Sequence, residues 1–259
     1  MEIHVVQPGD TLFSIAGQYR VPLSQLTRDN GLTQSAPLVV GQALVVRFPK
    51  VVHTVRQGDT LSAIAREYGV TLRELYRNNL NLAGRDAIWP GETLVAAYGE
   101  TEGPPLWVNG YAYPQIPDSQ LLPVMPFLSY LTPFTYGFTP QGELVKPDDT
   151  RLIVAAEALG TAPLLHLSTY TREGTFSNQL AHLLLQDRSN WGKLLDSIET
   201  VLRERRYHGI DVDFEYLSAQ DAPAYAAFLT ALRRRLAHLG FTVLAALAPK
   251  VSADQPGLL

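Results

Sequence analysis

Cysteine is absent from the 259 residues of this chain, which excludes disulfides, zinc–thiolate centres and thiol nucleophiles together. No stretch approaches the ~20 consecutive apolar residues of a membrane-spanning helix. The start Met1-Glu2-Ile3-His4-Val5-Val6 carries neither the basic segment nor the apolar run of a secretory signal, so the chain reads as soluble when made. Clustered positive charge is missing too. A net charge of −4 and the lack of any dense lysine and arginine patch give no electrostatic footprint for nucleic acid. The run Arg233-Arg234-Arg235 reads as a solvated helix face. Apolar residues, by contrast, are plentiful. At 46% of the chain they supply real cores, and the length suits two or three small domains, or a small one with part of a larger one.

The most informative segment is His208-Gly209-Ile210-Asp211-Val212-Asp213-Phe214-Glu215-Tyr216. Acids alternate with apolar residues, the pattern of a strand with one acidic face, and same-face side chains on a strand recur every ~6.6 Å. Like charges in a row destabilise a sheet, so a merely solvated strand is a poor explanation. A hard metal ion would need further oxygen ligands that no nearby run supplies. Crowded carboxylates raise at least one pKa, and an acid kept protonated near neutral pH is what a glycosidic oxygen requires of a general acid.

A repeat occupies the first hundred residues. Val6-Gln7-Pro8-Gly9-Asp10-Thr11-Leu12 returns as Val55-Arg56-Gln57-Gly58-Asp59-Thr60-Leu61, and Ile15, Ala16, Tyr19, Val21, Leu23, Leu26 and Asn30 return as Ile64, Ala65, Tyr68, Val70, Leu72, Leu75 and Asn79. Leu61, Ile64, Ala65 and Tyr68 form one helical stripe. Asp59 or Thr60 can cap its start, Gly69 can end it in a left-handed turn, and Thr71 to Glu74 is a capping-box pattern opening a second helix. The first copy has Arg20 and Pro22 there, and a proline near the first helical position still suits a helix start. Each copy closes with an apolar stretch, Gly41 to Val46 and Gly91 to Ala96, so each unit reads strand, helix, helix, strand.

These repeats resemble the LysM carbohydrate-binding module, over residues 3–48 and 52–97. The resemblance implies a βααβ fold that binds N-acetylglucosamine-containing glycans such as peptidoglycan or chitin. On this chain the implied contacts are Gly9, Asp10, Thr11, Leu12, Asn30, Gly31 and Leu32, and Gly58, Asp59, Thr60, Leu61, Asn79, Leu80 and Asn81. The side chains of Asp10, Thr11, Asp59 and Thr60 are equally placed to cap helices. Two weak modules on one chain gain by effective concentration along a polymer.

Residues 98–105 are polar and rich in glycine and proline, and read as a linker. Beyond them, apolar strands at 107–113, 127–138, 163–169 and 241–249 alternate with helical stretches at 150–159, around Trp191 to Leu202 and around Tyr225 to Leu236. That alternation argues for an α/β domain with a parallel sheet covered by helices.

The acidic strand resembles the Asp-x-x-Asp-x-Asp-x-Glu signature of family 18 glycoside hydrolases, with His208 at the departing first position. With Val108 to Pro114, Ser129 to Tyr136, Ala246 to Lys250 and the paired LysM repeats, the whole chain is similar to the cortex-fragment-lytic N-acetylglucosaminidases of spore germination. The resemblance implies a (β/α)8 TIM barrel beginning at residue 106. It also implies substrate-assisted, retaining hydrolysis, with Glu215 as acid and base, Asp213 orienting the substrate's acetamido group and Asp211 sharing a proton with Asp213. Tyr111, Tyr113, Tyr136 and Tyr216 are candidates to line the cleft. No metal or cofactor is implied. The implied partner is a glycan of spore cortex, cell wall or chitin, and the implied location is the spore coat and cortex or the wall.

About five barrel strands are legible in 106–259, whereas a complete barrel takes about 250 residues. The chain is therefore expected to be a fragment. Two other functions fit the same residues: a non-catalytic LysM glycan-binding or spore-coat protein with a barrel remnant, and a chitinase. Oligomeric state is not specified by any of these features.

Overall fold

The computed structural model describes residues 1–82, 85, 87–99, 106–215 and 217–247. The chain divides into two compact units, residues 1–106 with 118–127, and residues 107–117 with 128–259.

The first unit contains both repeats. One runs β1 (Glu2–Val5), α1 (Leu12–Tyr19), α2 (Leu23–Asp29) and β2 (Ala43–Val46); the other runs β3 (Pro49–Thr54), α3 (Leu61–Glu67), α4 (Leu72–Asn78) and β4 (Thr93–Tyr98). In each, the outer strands pair antiparallel, Glu2 opposite Val46 and Thr54 opposite Thr93. Val6, Leu12, Ile15, Ala16, Val21, Leu26, Leu44 and Val46 form the first module's core, so the recurrent apolar positions are the buried ones.

The helix starts resolve the capping question in favour of threonine. Thr11 Oγ1 accepts from the Ser14 amide at 3.0 Å in a capping box, and Thr60 Oγ1 accepts from the Ala63 amide at 3.1 Å. Gly69 has the left-handed φ of 66°, as its position after the helix predicts. In the first module Arg20 takes that conformation (φ 55°), and its amide reaches the carbonyls of Ala16 and Gly17. Pro22 stands one place before the first helical residue, where its missing N–H costs nothing. The modules also grip each other: Arg47 lies 3.5 Å from the centre of the Tyr98 ring and 3.7 Å from Asp29, and Arg28 donates to Asn81 at 3.1 Å.

After β5 (Asn109–Ala112) the chain forms α5 (Asp118–Val124), which belongs to the first unit. The second unit continues with β6 (Tyr130–Pro133), β7 (Gly137–Phe138), β8 (Leu144–Val145), α6 (Thr150–Ala158), β9 (Ala162–Ser168), α7 (Asn178–Gln186), α8 (Ser189–Glu204), β10 (Gly209–Asp213), α9 (Ala222–Ala237) and β11 (Thr242–Ala245). Its sheet is parallel, ordered β11-β10-β9-β6-β5, so strands neighbour one another in the order the chain makes them.

The two faces of this sheet differ in chemistry. Leu165, Leu167, Ile210, Val212 and Phe214 pack with Leu184, Leu194, Ile198, Phe228 and Leu232 of the helices. The alternate residues, His166 and Ser168 on β9 and Asp211 and Asp213 on β10, point the other way and are matched in register, His166 beside Asp211 and Ser168 beside Asp213.

Three expectations are adjusted. The single strand expected over 127–138 is β6 followed by the β7–β8 hairpin, because Pro133 has no N–H for a ladder and Gly137 is pinched against Tyr170, whose carbonyl oxygen would lie 1.8 Å from a Cβ there. Helices α5 and α7 fall in stretches for which the sequence predicted no element. The last strand ends at Ala245, and residues 248–259 lie outside the described residues.

Candidate active site

Strand β10 stops at Asp213, so Glu215 sits in the turn just past its carboxyl end. Asp213 and Glu215 share a cavity of about 350 Å³ with Phe134, Ser168, Thr169, Phe176 and Asn178. Asp211 lies one inward step deeper and is almost fully buried.

Each acid has its own environment. Asp211 Oδ2 accepts a 2.6 Å hydrogen bond from the Tyr111 hydroxyl, which β5 brings in from the far side of the sheet. Burial raises the Asp211 pKa above the usual carboxylate range, and the charge of Asp213 adds to the shift while the Tyr111 bond opposes it. Asp213 Oδ2 faces His166 Nε2 at 3.1 Å, and Asp213 Oδ1 is buried without a hydrogen-bond partner among the described residues. Burial and the Asp213 charge both raise the Glu215 pKa. Glu215 thus holds its proton to higher pH than an ordinary glutamate. Among the described residues no hydrogen bond joins Asp211 to Asp213; the Oδ2 atoms are held by Tyr111 and His166.

Aromatic rings frame the opening. Phe134 stacks on His166 at 4.7 Å, Tyr113 tilts against Phe134 at 4.9 Å, and Phe176 lies 6.0 Å from Phe134 and 5.3 Å from Tyr170. Phe134 and Phe176 also border a second cavity of about 480 Å³ with Tyr113, Tyr170, Lys146 and Asp148, so the acid pocket continues into an aromatic-walled groove. Of the four tyrosines expected to line the cleft, Tyr113 borders the second cavity and Tyr111 reaches Asp211 with its hydroxyl. Tyr136 does neither: it is fully buried in the helix-side core, and its hydroxyl donates to Asp149 at 2.8 Å, because the chain after Pro133 turns it outward from the polar face. Tyr216 lies outside the described residues. His208 begins the strand at the opposite end from Glu215, its ring 6.2 Å from that of Tyr130. His166, Phe134, Phe176 and Asn178 were not anticipated. A histidine inside the apolar run Leu164 to Leu167 was the available signal for the first of them.

In the modules, most expected glycan-contacting side chains turn out to hold the fold. Asp10 Oδ2 accepts from the Gln7 amide at 2.7 Å and faces His4 Nε2 at 2.9 Å, and Asp59 repeats this with the Arg56 amide at 2.7 Å and His53 at 2.8 Å. The amide bond comes first among the causes that hold both acids below the usual aspartate range, with the histidine bond second. Tyr19 and Tyr68 complete each arrangement on the other ring nitrogen, at 3.2 and 3.0 Å. Asn30 and Asn79 are spent on backbone, and Leu12 and Leu61 are core residues. Gly9, Gly31, Leu32, Gly58, Leu80 and Asn81 remain at the surface or partly so, with Asn81 held by Arg28.

The LysM domain family matches residues 4–47 and 53–96. These two modules are LysM domains. Over 99% of its length the chain is 37% identical to the cortical fragment-lytic enzyme of Bacillus subtilis strain 168, spanning 60% of that relative. It is 34% identical to the Bacillus cereus protein of the same description, again over 99% of this chain and 60% of the relative. The crystal structure of the Bacillus cereus spore cortex-lytic enzyme SleL aligns with a TM-score of 0.70 at 30% identity, covering 99% of this chain and 60% of that one. This chain is similar to the cortical fragment-lytic enzymes over nearly all of its own length and spans 60% of theirs. A class V chitinase from Pseudomonas fluorescens Pf-5 aligns with a TM-score of 0.53 at 24% identity over 58% of this chain and 47% of the chitinase. The architecture is two LysM domains and an α/β domain, with a five-stranded parallel sheet, similar to the chitinase-like barrels.

Proposed function

We propose that this chain is the LysM-bearing, acid-bearing part of a glycosidase that cleaves N-acetylglucosaminyl bonds in spore-cortex peptidoglycan. Residues 3–48 and 52–97 hold the glycan, 98–105 link, and 106–259 form the first part of the barrel. A cortex or cell-wall location follows from the same reading. The observation that carries it is the pairing of Glu215, whose pKa is raised, with Asp213 in one cavity at the carboxyl end of a parallel strand, the end where barrels of this kind place their chemistry.

The geometry supports a substrate-assisted route, which glycosidases without a protein nucleophile use. Glu215 gives its proton to the glycosidic oxygen as that bond to the anomeric carbon breaks. The acetamido oxygen of the same sugar bonds to the anomeric carbon, forming an oxazolinium ring. Asp213 faces the acetamido N–H and offsets the positive charge. Water then adds to the anomeric carbon, Glu215 recovers a proton from it, and the ring opens to the acetamide with retained configuration. Asp211 and Tyr111 support this pair from below, and Tyr113 is placed to take a sugar face. Mass analysis of soluble products from purified cortex fragments tests the reading. Release by the native chain and none by Glu215→Gln is expected, with both still pelleting on cortex. Equal release by the two refutes it in favour of another acid–base group, and pelleting without release by a longer chain that completes the barrel refutes it in favour of a glycan-binding protein.

A further inference from the structure

His166 is fully buried in the middle of β9, where a strand neighbour would ordinarily be aliphatic like Leu165 and Leu167. Both ring nitrogens are engaged. Nε2 meets Asp213 Oδ2 at 3.1 Å, and Nδ1 meets Thr135 Oγ1 at 2.7 Å, which in turn lies 2.7 Å from Ser168 Oγ. The ring faces are fixed as well, stacked on Phe134 at 4.7 Å and edge-on to Tyr111 at 5.5 Å.

The hydrogen count orders this chain. Ser168 can donate to Thr135, Thr135 to Nδ1, and the Nε2 proton to Asp213, with the Tyr136 carbonyl at 3.1 Å as a competing acceptor for the Thr135 hydroxyl. The opposite tautomer would leave Nε2 bare against a carboxylate, two acceptors facing each other. A histidine oriented by a hydroxyl on one nitrogen and acting through the other is a device of positioned acid–base sites generally.

We propose that His166 is a positioning residue for the glycosidase reaction described above: its Nε2–H holds Oδ2 of Asp213 and fixes the orientation of that carboxylate beside Glu215, while Thr135 and Ser168 hold the other ring nitrogen. This rests on the proposed function for its consequence in catalysis, and on geometry alone for the hydrogen bond. Asp213 Oδ1 is buried with no hydrogen-bond partner among the described residues, so the His166 contact on Oδ2 is what orients this carboxylate there. The titratable groups facing the ring are Tyr111 from β5, and Asp211, Asp213 and Glu215 from β10 and its turn; Phe134, Thr135 and Ser168 complete its surroundings.

The test begins with the full chain labelled with ¹⁵N. Long-range correlation at the His166 ring, assigned by its loss in His166→Gln, is expected to show a neutral ring protonated on Nε2. Asp213→Asn should shift that Nε2 resonance, and Asp221→Asn, which alters the shared partner of His182, Gln186 and Ser218, should not. A proton on Nδ1 alone, or a resonance indifferent to Asp213→Asn, overturns the proposal.

Kinetics on cortex fragments then reads the consequence. His166→Gln keeps an N–H donor near the Nε2 position and should hold kcat within about tenfold. His166→Phe keeps the ring packing but loses the donor, and should lower kcat about 100-fold with little change in KM. Equal falls in both variants would mean that the residue only packs. If native chain and Glu215→Gln release sugar alike, the glycosidase reading fails, and the tautomer and the Asp213→Asn response still decide whether His166 positions Asp213.

Discussion

Replacing Asn79 by alanine separates structural from glycan-binding roles in the modules. Its Nδ2 donates to the carbonyls of Leu75 and Val95 at 2.8 Å each, and its Oδ1 accepts the Val95 amide at 2.8 Å, tying the end of α4 to β4 inside a fully buried site. Alanine leaves three backbone groups without partners in the interior. Each costs roughly 1–2 kcal/mol, giving about 3–6 kcal/mol in all. At the usual 0.05–0.15 kcal/mol per residue, a module of about 45 residues holds only about 2–7 kcal/mol, so Asn79→Ala should leave the second module largely open. Hydrogen exchange of the intact chain reads this directly, since about 3 kcal/mol corresponds to a factor of about 150 in opening. Amides of β4 should exchange at least about 100-fold faster, and those of β2 should change far less. Asn30→Ala provides the replicate: Asn30 makes the same three bonds, to Leu26, Val45 and Val45 again at 2.8, 2.8 and 2.7 Å. Acceleration below about fivefold, together with weakened glycan binding, would show that the asparagine serves the ligand and refute the reasoning.

Two further substitutions probe the α/β unit. Asp211→Asn should raise its thermal midpoint at pH 7: burial lifts the folded-state pKa of Asp211, so stability falls as pH rises from the ordinary aspartate range through the folded value, and the neutral amide removes that loss while still accepting from Tyr111. The gain should vanish below about pH 4, and a gain of the same size at pH 3.5 and 7 would contradict the assigned cause. Gly209→Ala should destabilise the same unit by about 3 kcal/mol or more, because an added Cβ would lie 2.2 Å from the Thr242 carbonyl oxygen of β11; denaturant unfolding showing a change under about 1 kcal/mol would mean that the β10–β11 approach relaxes freely.

Much of the molecule was legible locally. The 49-residue recurrence of Gly-Asp-Thr-Leu and its downstream apolar set revealed two βααβ modules, because capping and helical periodicity act over four or seven neighbouring residues. Alternation in Ile210 to Glu215 identified the acidic face for the same reason. Legibility failed where a residue type has two uses. Asp10, Asn30 and their copies carry the same letters whether they bind sugar or hold backbone, and only their distances to His4, Gln7 and Val45 distinguish the two. Tyr136 and Tyr111 are both tyrosines near strand ends, yet a proline and a pinched glycine between β6 and β7 send one into the core.

The chain's pattern by itself determined the element order, the LysM repeat, the two-faced strand and the candidate acids, all of which follow from residues adjacent or one helical turn apart. Tertiary structure alone decided which acid meets which partner. Tyr111 and Asp211 are 100 residues apart in sequence, and His166 and Asp213 are 47 apart; no local periodicity links them. The parallel register of β5, β6, β9 and β10 brings them together, placing a buried histidine beside one carboxylate and a phenol beside the other, and so gives two chemically identical aspartates different surroundings.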